Sequence, residues 1–252
     1  MRQREPAICL RCTDYSETSQ VVHFLTRGWG LARLLAKGAK RPKSKSGGAV
    51  DLLSEGELVF IAGSPGGLGT LVEFLETVTH AGLRRDAGRL NAALYMIELV
   101  GAFLAEGDPH QEVFDLLHNS LERLGQEDAR AGAVLAYFQW RLLRCVGLLG
   151  ELKTCVSCGR APAGAGGRRH PAYFSSIQGG LLCAACEGAA AEKYRLDGPA
   201  MAGLAALAAA ETGMRVLLPD KQAAGVNKLL AYHASHQLGK ALKMARHAIR
   251  AI

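Results

Sequence analysis

Four cysteines in two closely spaced pairs place the strongest constraint on this chain of 252 residues. Cys155 and Cys158 form one Cys-x-x-Cys, Cys183 and Cys186 form the other, and the 24 residues 159–182 separate them. Tetrahedral zinc takes four soft ligands about 2.3 Å from the metal, and each Cys-x-x-Cys turn folds two thiolates onto one side of an ion. The sequence therefore predicts one structural Zn²⁺ held by all four thiolates. The alternatives are two disulfides, which a reducing cytoplasm disfavours, or a degenerate site without metal.

A further Cys-x-x-Cys, made by Cys9 and Cys12, is not predicted to bind metal. The surrounding residues have the pattern of a β-strand, in which positions i and i+3 point to opposite faces. Cys12 is therefore expected to pack in a core or at a strand end. The separation of the two zinc pairs slightly exceeds the common range of roughly 15–20 residues. The extra length falls in residues 161–167, which are rich in Gly and Ala and have the composition of a flexible excursion.

The first 80 residues alternate between short β-compatible runs and turn signals. The predicted strands cover residues 7–12, 20–26, 29–36, 58–62 and 68–78. Glycines separate most of these runs, and a Gly-Ser-Pro-Gly-Gly segment at 63–67 marks a hairpin tip. Five strands of this length suit a small closed barrel, for which the oligonucleotide-binding barrel is the commonest solution. An SH3-like barrel has almost the same pattern.

After Gly82 the apolar period changes from two residues to 3.6, which indicates helices. Helices are predicted over 90–104, from Asp108 to Leu124, over 135–149, over 199–210 and over 221–252, while residues 155–186 break the pattern. The fold class is therefore α+β. A five-stranded oligonucleotide-binding barrel at 1–80 precedes an all-helical domain at 81–252, into which a four-cysteine zinc module is inserted at about 153–190.

Positive charge is concentrated at two places within a net charge of +7. Neither residues 27–45 nor residues 221–252 contain an acidic side chain. The candidate DNA-binding residues in these runs are Arg27, Arg33, Lys37, Lys40, Arg41, Lys43, Lys45, Lys240, Lys243 and Arg246. Such blocks favour a polyanionic partner, and ordinary solvated charge is the alternative for each. The run from Arg27 to Lys45 is predicted to cover the third strand and an exposed, partly extended loop that follows a phosphate backbone.

Two aromatic side chains and the C-terminal helix have alternative interpretations. Phe24 and Trp29 are candidates either for stacking on bases or for packing in the barrel core. On a continuous helix, Lys240 and Lys243 fall on a basic face, and the apolar face is opposite. That basic face is expected to contact DNA, to receive an acidic peptide, or to remain solvated.

Several functional classes are excluded by what the sequence lacks. There is no His-Glu-x-x-His, no phosphate-binding Gly-x-x-x-x-Gly-Lys-Ser/Thr and no Gly-x-Ser-x-Gly, and the fourth cysteine leaves zinc no open position. The chain is therefore predicted not to be an enzyme and to have no small-molecule substrate. No apolar run is long enough to cross a bilayer, so a cytoplasmic location is expected. A zinc-containing transcription or translation factor and a metal-dependent hydrolase are the rival functions.

At residues 14–45 the chain resembles a known family. The matching pieces are Ser16-Glu17-Thr18-Ser19, Val22-His23-Phe24-Leu25-Thr26, Gly30-Leu31 and Ala36-Lys37-Gly38-Ala39-Lys40-Arg41-Pro42-Lys43-Ser44. They resemble the RecO family of recombination mediators, as do Ala93-Leu94-Tyr95 with Glu98-Leu99, residues 138–143 with Gly147-Leu148, the cysteine pairs and Leu238-Gly239-Lys240. One departure is Lys243-Met244-Ala245-Arg246, where the family pattern has a Ser before the Arg.

The resemblance implies an oligonucleotide-binding barrel followed by a helical domain with an inserted zinc module. It further implies binding of single- and double-stranded DNA and annealing of complementary strands. Together with its partner RecR, such a protein helps RecA to displace single-strand-binding protein from DNA. The implied location is the cytoplasm, in association with the nucleoid.

Overall fold

The computed structural model describes residues 2–42, 44, 47–64, 66–150, 152–161, 172–210 and 218–250. The chain forms two compact units, Met1–Gly125 and Gln126–Ile252. No helix in these described ranges is both long and apolar enough to cross a membrane.

Five strands form a closed barrel at the start of the first unit. Their bounds are β1 (Arg2–Asp14), β2 (Gln20–Thr26), β3 (Gly30–Ala36), β4 (Glu55–Ile61) and β5 (Gly69–Val78). The order around the barrel is β1-β2-β3-β5-β4, and β1 closes the ring by pairing with β4. All pairs are antiparallel except β3 and β5, which run parallel. The predicted five-stranded, oligonucleotide-binding-like barrel is therefore confirmed.

The barrel core is built from the inward-facing residues of each strand. Phe24, Phe60 and Phe74 are almost completely buried there, and the ring centroids of Phe24 and Phe74 lie 4.9 Å apart. Each such burial contributes about 2–3 kcal/mol. Of the two candidate stacking residues, Phe24 thus fills the core.

A bulge in β1 changes where its two cysteines point. Cys9 lies opposite Phe24, whereas Arg11 lies opposite His23, so Leu10 is one extra residue in the strand. Cys9 is fully buried in the barrel core, and Cys12 packs against the same core. The expectation that Cys9 and Cys12 face opposite sides was wrong, because strict alternation fails at a bulge. The expected packing role of Cys12 is confirmed.

Two α-helices complete the first unit. They are α1 (Ala87–Phe103) and α2 (Gln111–Gly125), and a 3-10 helix (Ala81–Arg85) precedes them. Asp86 caps α1, since its carboxylate accepts a hydrogen bond from the Arg89 N–H at 2.8 Å. The helix predicted from Asp108 begins at Gln111, and its apolar side is buried through Val113 and Leu117.

A buried carboxylate ties the barrel to the segments that follow it. Glu55 of β4 accepts from His80 Nε2 at one oxygen and pairs with His118 Nδ1 of α2 at the other, both at 2.7 Å. The side chains of Glu55 and His80 are only 7% and 6% exposed. A buried charge needs such partners, so these three residues form a specific joint between strand, linker and helix.

The second unit contains the remaining helices and a small sheet. Its elements are α3 (Ala131–Cys145), β6 (Ala172–Ser175), β7 (Gly180–Leu182), β8 (Tyr194–Leu196), α4 (Gly198–Ala209), α5 (Asp220–Leu238) and α6 (Ala245–Arg250). The three strands form a sheet in the order β7-β6-β8, which the sequence pattern did not predict. Helices α3 and α5 are joined by a buried hydrogen bond of 2.8 Å from Gln139 to Asn227.

The C-terminal region is not one helix, as predicted, but two. Helix α5 ends at Leu238 because Gly239 adopts a left-handed conformation with φ of 64°, which commonly terminates a helix. Lys240 and Lys243 lie in the turn between α5 and α6, and Arg246 lies in α6. All three are exposed, but Lys240 and Lys243 do not lie on the face of one continuous helix, as was predicted.

Candidate metal centre and nucleic-acid surface

The four predicted ligands converge in the second unit. Cys155 and Cys158 lie in the loop after α3, while Cys183 and Cys186 follow the end of β7. Their sulfur atoms all lie within 4.8 Å of one another, and Cys158 Sγ is 3.7 Å from Cys183 Sγ. Four sulfurs at about 2.3 Å from a tetrahedral ion are about 3.8 Å apart, so the cluster can hold a metal ion.

Backbone hydrogen bonds shape both cysteine turns. The Gly159 N–H donates to Cys155 O at 2.8 Å, and the Cys186 N–H donates to Cys183 O at 3.0 Å. Gly159 has φ of 72°, a conformation that glycine adopts at little cost. The Val156 N–H donates to Leu181 O at 2.8 Å and so joins the first turn to β7.

The thiols of the cluster differ in acidity. Burial opposes ionisation of Cys155, but N–H groups of Cys183, Cys158 and Ser157 outweigh it and lower the pKa of Cys155 to about 6. In the same way, burial is outweighed at Cys183, whose pKa is lowered by the N–H groups of Cys186 and Ala185. Hydrogen bonds with the thiols of Cys158 and Cys183 raise the pKa of Cys186 to about 12. The backbone N–H groups thus favour the thiolate form of Cys155 and Cys183, and a bound cation favours ionisation of the other two thiols.

The cluster's sheet is fastened to α5 through Glu192. Its carboxylate accepts hydrogen bonds from the Ser176 N–H at 2.7 Å and from the Tyr232 hydroxyl. Burial and this carboxylate raise the pKa of Tyr232 to about 12, so the hydroxyl remains a donor. Gln237 also donates to Ser176 O at 2.6 Å. The hairpin that carries the second cysteine pair is therefore held by two side chains of α5.

Three residues of the predicted basic run lie within ion-pair distance of acids from elsewhere in the first unit: Arg27, Lys40 and, as described below, Arg33. Arg27 makes a two-pronged ion pair with Asp115 of α2, at 2.9 and 3.1 Å. Lys40 lies 2.7 Å from Asp14. The sequence contains no acid within the run, but folding brings these carboxylates from distant segments.

The segment after β3 is compact in its described part. Residues 37–42 form successive turns, and the Lys40 N–H donates to Thr18 O at 3.0 Å. The Gly38 N–H donates to the Ser19 hydroxyl at 3.1 Å. The prediction of a partly extended loop was therefore wrong for these residues, while Lys43 and Lys45 lie outside the described residues. Lys37 and Arg41 are exposed and, among the described residues, have no acidic partner.

A row of basic side chains crosses the outer face of the barrel. Arg11 of β1 lies opposite His23 of β2, which in turn lies opposite Arg33 of β3. Arg11, His23 and Arg33 line a shallow groove of about 420 Å³ together with Thr13, Val21 and Leu68. Of these three basic residues, only Arg33 was predicted from the sequence as a DNA-binding candidate. Arg11 and His23 become visible once strand register is known, because the bulge at Leu10 sets which β1 residues face outwards.

Arg33 is also bound at the edge of a second groove. Its guanidinium donates to Gly66 O at 2.7 Å, and its Nε lies 3.4 Å from Glu106, without hydrogen-bond geometry. Trp29 is half-buried, packs edge-on against Phe60 at 6.1 Å and lines this groove of about 320 Å³. Of the two aromatic candidates, Trp29 is therefore the one placed beside a surface depression.

Two family models together match almost the whole chain. Residues 1–79 match "Recombination protein O N terminal", and residues 84–246 match "Recombination protein O C terminal". The boundary between the two matches lies between the barrel and α1.

Similar proteins from several bacteria are named "DNA repair protein RecO". The one from Myxococcus xanthus is 30% identical over 96% of this chain and 95% of its own length. The one from Anaeromyxobacter dehalogenans is 32% identical over 97% and 95%. The one from Rhodopirellula baltica is 35% identical over 71% of this chain, and the match covers 65% of that protein, slightly under two thirds. With its barrel, helical region and four-cysteine cluster, this chain belongs to the RecO family of DNA repair proteins, which are non-enzymatic recombination mediators.

Proposed function

We propose that this chain is a DNA-binding recombination mediator that binds single- and double-stranded DNA and anneals complementary strands. It helps to load the recombinase onto DNA coated with single-strand-binding protein, in cooperation with RecR. The observation that carries the proposal is the basic outer face of the barrel, where Arg11 of β1 and Arg33 of β3 lie beside the exposed cations of the turns after β3, Lys37 and Arg41. Contacts of this kind are made to phosphates and do not depend on the DNA sequence, which a protein that acts at any damaged site requires.

The cations of the DNA surface proposed for the barrel differ in how freely they can contact phosphates. Lys37 and Arg41 are the best placed for phosphates, because they are exposed and have no acidic partner among the described residues. Arg33 and Lys40 reach DNA only in competition with Glu106 and Asp14. Lys43 and Lys45 remain candidates from the sequence. Arg27 is assigned a structural role instead, because both prongs of its guanidinium are occupied by Asp115.

The cysteine cluster is proposed to hold one structural Zn²⁺. Four thiolates are the donor set that zinc prefers in structural sites, and all four positions are filled by the protein. When bound, the ion supplies a crosslink between the loop after α3 and the end of β7. The chain's own residues supply the rest, since N–H groups stabilise the sulfur charge and Glu192 fixes the hairpin.

The exposed cations Lys240, Lys243 and Arg246 are proposed as a second contact region. They bind either DNA or the acidic tail of single-strand-binding protein. We also propose a cytoplasmic, nucleoid-associated location. The division into a barrel at 1–80 and a helical domain at 81–252 remains a prediction.

The test is strand annealing with the purified protein. Complementary oligonucleotides, one coated with single-strand-binding protein, should anneal faster with the protein present and without nucleotide hydrolysis. Pulldown with purified RecR and single-strand-binding protein checks the partners. Absence of both DNA binding and annealing at low salt would contradict the proposal.

A further inference from the structure

The row of Arg11, His23 and Arg33 places a titratable imidazole between two guanidinium groups. The three residues occupy directly opposed positions on neighbouring antiparallel strands, which lie about 4.8 Å apart. Their side chains therefore project from the same face and can reach a single anionic group. No acidic residue among the described ones pairs with Arg11, so its charge is available for an anion.

The surroundings of His23 disfavour its protonated form in the free protein. Burial lowers the pKa of His23, and the positive charges of Arg11 from β1 and Arg33 from β3 lower it further. Glu106, in the segment after α1, acts in the opposite direction but is engaged with Arg33. The groove's other lining residues, Thr13, Val21 and Leu68, carry no charge. The free protein therefore holds a neutral imidazole here at neutral pH.

A phosphate in the groove reverses this balance. Its negative charge offsets both guanidinium groups and attracts a protonated imidazole, which also gains a second N–H donor. We propose that Arg11, His23 and Arg33 form one phosphate-binding site on the outer face of the barrel, at which His23 takes up a proton from solvent as nucleic-acid phosphate binds. The inference rests on the proposed function, since it places part of the DNA on this face.

The sign of the pH dependence follows from linkage. Because the complex holds more protons than the free protein, affinity rises as pH falls through the range between the pKa of His23 in the complex and in the free protein. The rise is at most tenfold per pH unit for one proton, and about tenfold in total if the two pKa values differ by about one unit. Above both values His23 is neutral in both states, and only the arginines contribute.

The experiment uses the full chain and a fluorescent oligothymidine. Affinity is measured between about pH 8 and about pH 5.5 at constant ionic strength, and proton uptake is measured by calorimetry in two buffers that differ in ionisation enthalpy. His23→Gln should remove the pH-dependent part of the affinity and the proton uptake. His23→Lys, which fixes a positive charge at this position, should give a high affinity at about pH 8 that no longer changes with pH. His110→Gln, in the same unit but outside the row, is the matched control and should behave as the parent.

A second arm separates this inference from the proposed function. Arg11→Gln with Arg33→Gln should weaken binding and reduce the proton uptake, with the fold checked by circular dichroism. If the double variant binds as tightly as the parent, the phosphate does not lie on this row and the inference is overturned, while the proposed DNA surface then depends on Lys37 and Arg41, which the salt-slope measurement on their double variant tests. If the double variant binds weakly but the His23→Gln protein keeps the full proton uptake, the surface stands and the inference about His23 is overturned.

Discussion

At the scale of single residues, the acidity of the cysteine thiols is the property that follows most directly from the sequence. A short spacing fixes two thiols on one turn, and the backbone N–H groups of each turn stabilise negative sulfur. The outcome is visible in Cys155, which is buried and nevertheless has its pKa lowered to about 6 by three N–H groups. Burial alone would have raised that pKa. The protein thus prepares a thiolate before any metal arrives.

The first prediction concerns a single ligand. Cys158→Ser replaces a soft sulfur by a hydroxyl oxygen that zinc binds poorly, so metal content should fall well below one ion per chain. The melting temperature should fall by several degrees, because the loop after α3 loses its crosslink to β7. Cys145→Ser, a change outside the cluster, should keep the full metal content. Elemental analysis and calorimetry measure both, and full zinc occupancy in the Cys158→Ser protein would contradict the assignment.

The second prediction concerns the buried carboxylate in the first unit. Glu55→Ala leaves His80 with a buried ring nitrogen that has lost its partner, which costs about 1–3 kcal/mol of unfolding free energy. Glu57→Ala, two residues further along the same strand, removes a carboxylate that is not part of this joint and should cost under about 1 kcal/mol. Urea denaturation at neutral pH measures both. Equal stability of the two variants would show that the joint contributes little.

At the scale of elements, local patterns predicted most of the architecture. Alternation and glycine punctuation located all five barrel strands, and helical periodicity located α1, α2, α3 and α4. Two features were not predicted, because one depends on how strands pair and the other depends on a single residue. The bulge at Leu10 inserts one residue without any distinctive sequence signal, and it reversed the predicted orientation of Cys12. The break at Gly239 did have a signal, since glycine commonly follows a helix end.

The cationic run shows a different limit of sequence reasoning. A stretch without acids looks uniformly available for DNA, but pairing is decided in three dimensions. Asp115, 88 residues away in sequence, occupies Arg27. Glu106 and Asp14 approach Arg33 and Lys40 in the same way. The residues of the candidate metal site were predictable because they lie in two short turns, whereas the pairing of each cation was not.

The third prediction separates available from occupied cations. Lys37→Ala with Arg41→Ala should weaken binding to single-stranded DNA for all sequences. It should also reduce the slope of log affinity against log salt by about 1.4, at about 0.7 per phosphate contact. Arg27→Ala is the control and should leave that slope unchanged, because its charge is committed to Asp115. Fluorescence titrations at several salt concentrations measure the slopes. A larger slope change for Arg27→Ala than for the double variant would indicate that Arg27 contacts DNA.

The fourth prediction concerns the acid beside the basic row. Glu106→Gln removes a negative charge that holds Arg33 and would repel a phosphate, so DNA affinity should rise by about two- to tenfold at low salt. Asp108→Asn, in the same segment but paired with His110, is the matched control and should change affinity less. Titrations at equal ionic strength measure both. Lower affinity in the Glu106→Gln protein would mean that the carboxylate positions Arg33 for DNA rather than competing with it.

At the scale of the whole molecule, the DNA surface proposed for the barrel and the candidate metal site belong to different units. The barrel and the row of basic side chains lie in Met1–Gly125, whereas the cysteine cluster lies in Gln126–Ile252. Each unit buries its own apolar groups: the barrel core surrounds Phe24 and Phe60, and the cluster is supported by Leu182. DNA binding by the barrel and metal binding by the cysteine cluster are therefore expected to respond separately to mutation or metal removal.

The fifth prediction tests that separation by removing metal. A chelator that strips zinc removes the crosslink between the two cysteine turns, so the loop after α3 and the β6–β7 hairpin should loosen. Glu192 links that hairpin to Tyr232, and amide protection should therefore also fall in α5. Hydrogen exchange followed by mass spectrometry, with and without chelator, should show these losses within Gln126–Ile252. Protection of strands β1–β5 should persist, and the affinity for single-stranded DNA should fall by less than about tenfold, because the cations of the barrel remain in place. Loss of protection across both units would instead mean that the metal stabilises the barrel as well, and metal binding would then affect DNA binding through the stability of the barrel.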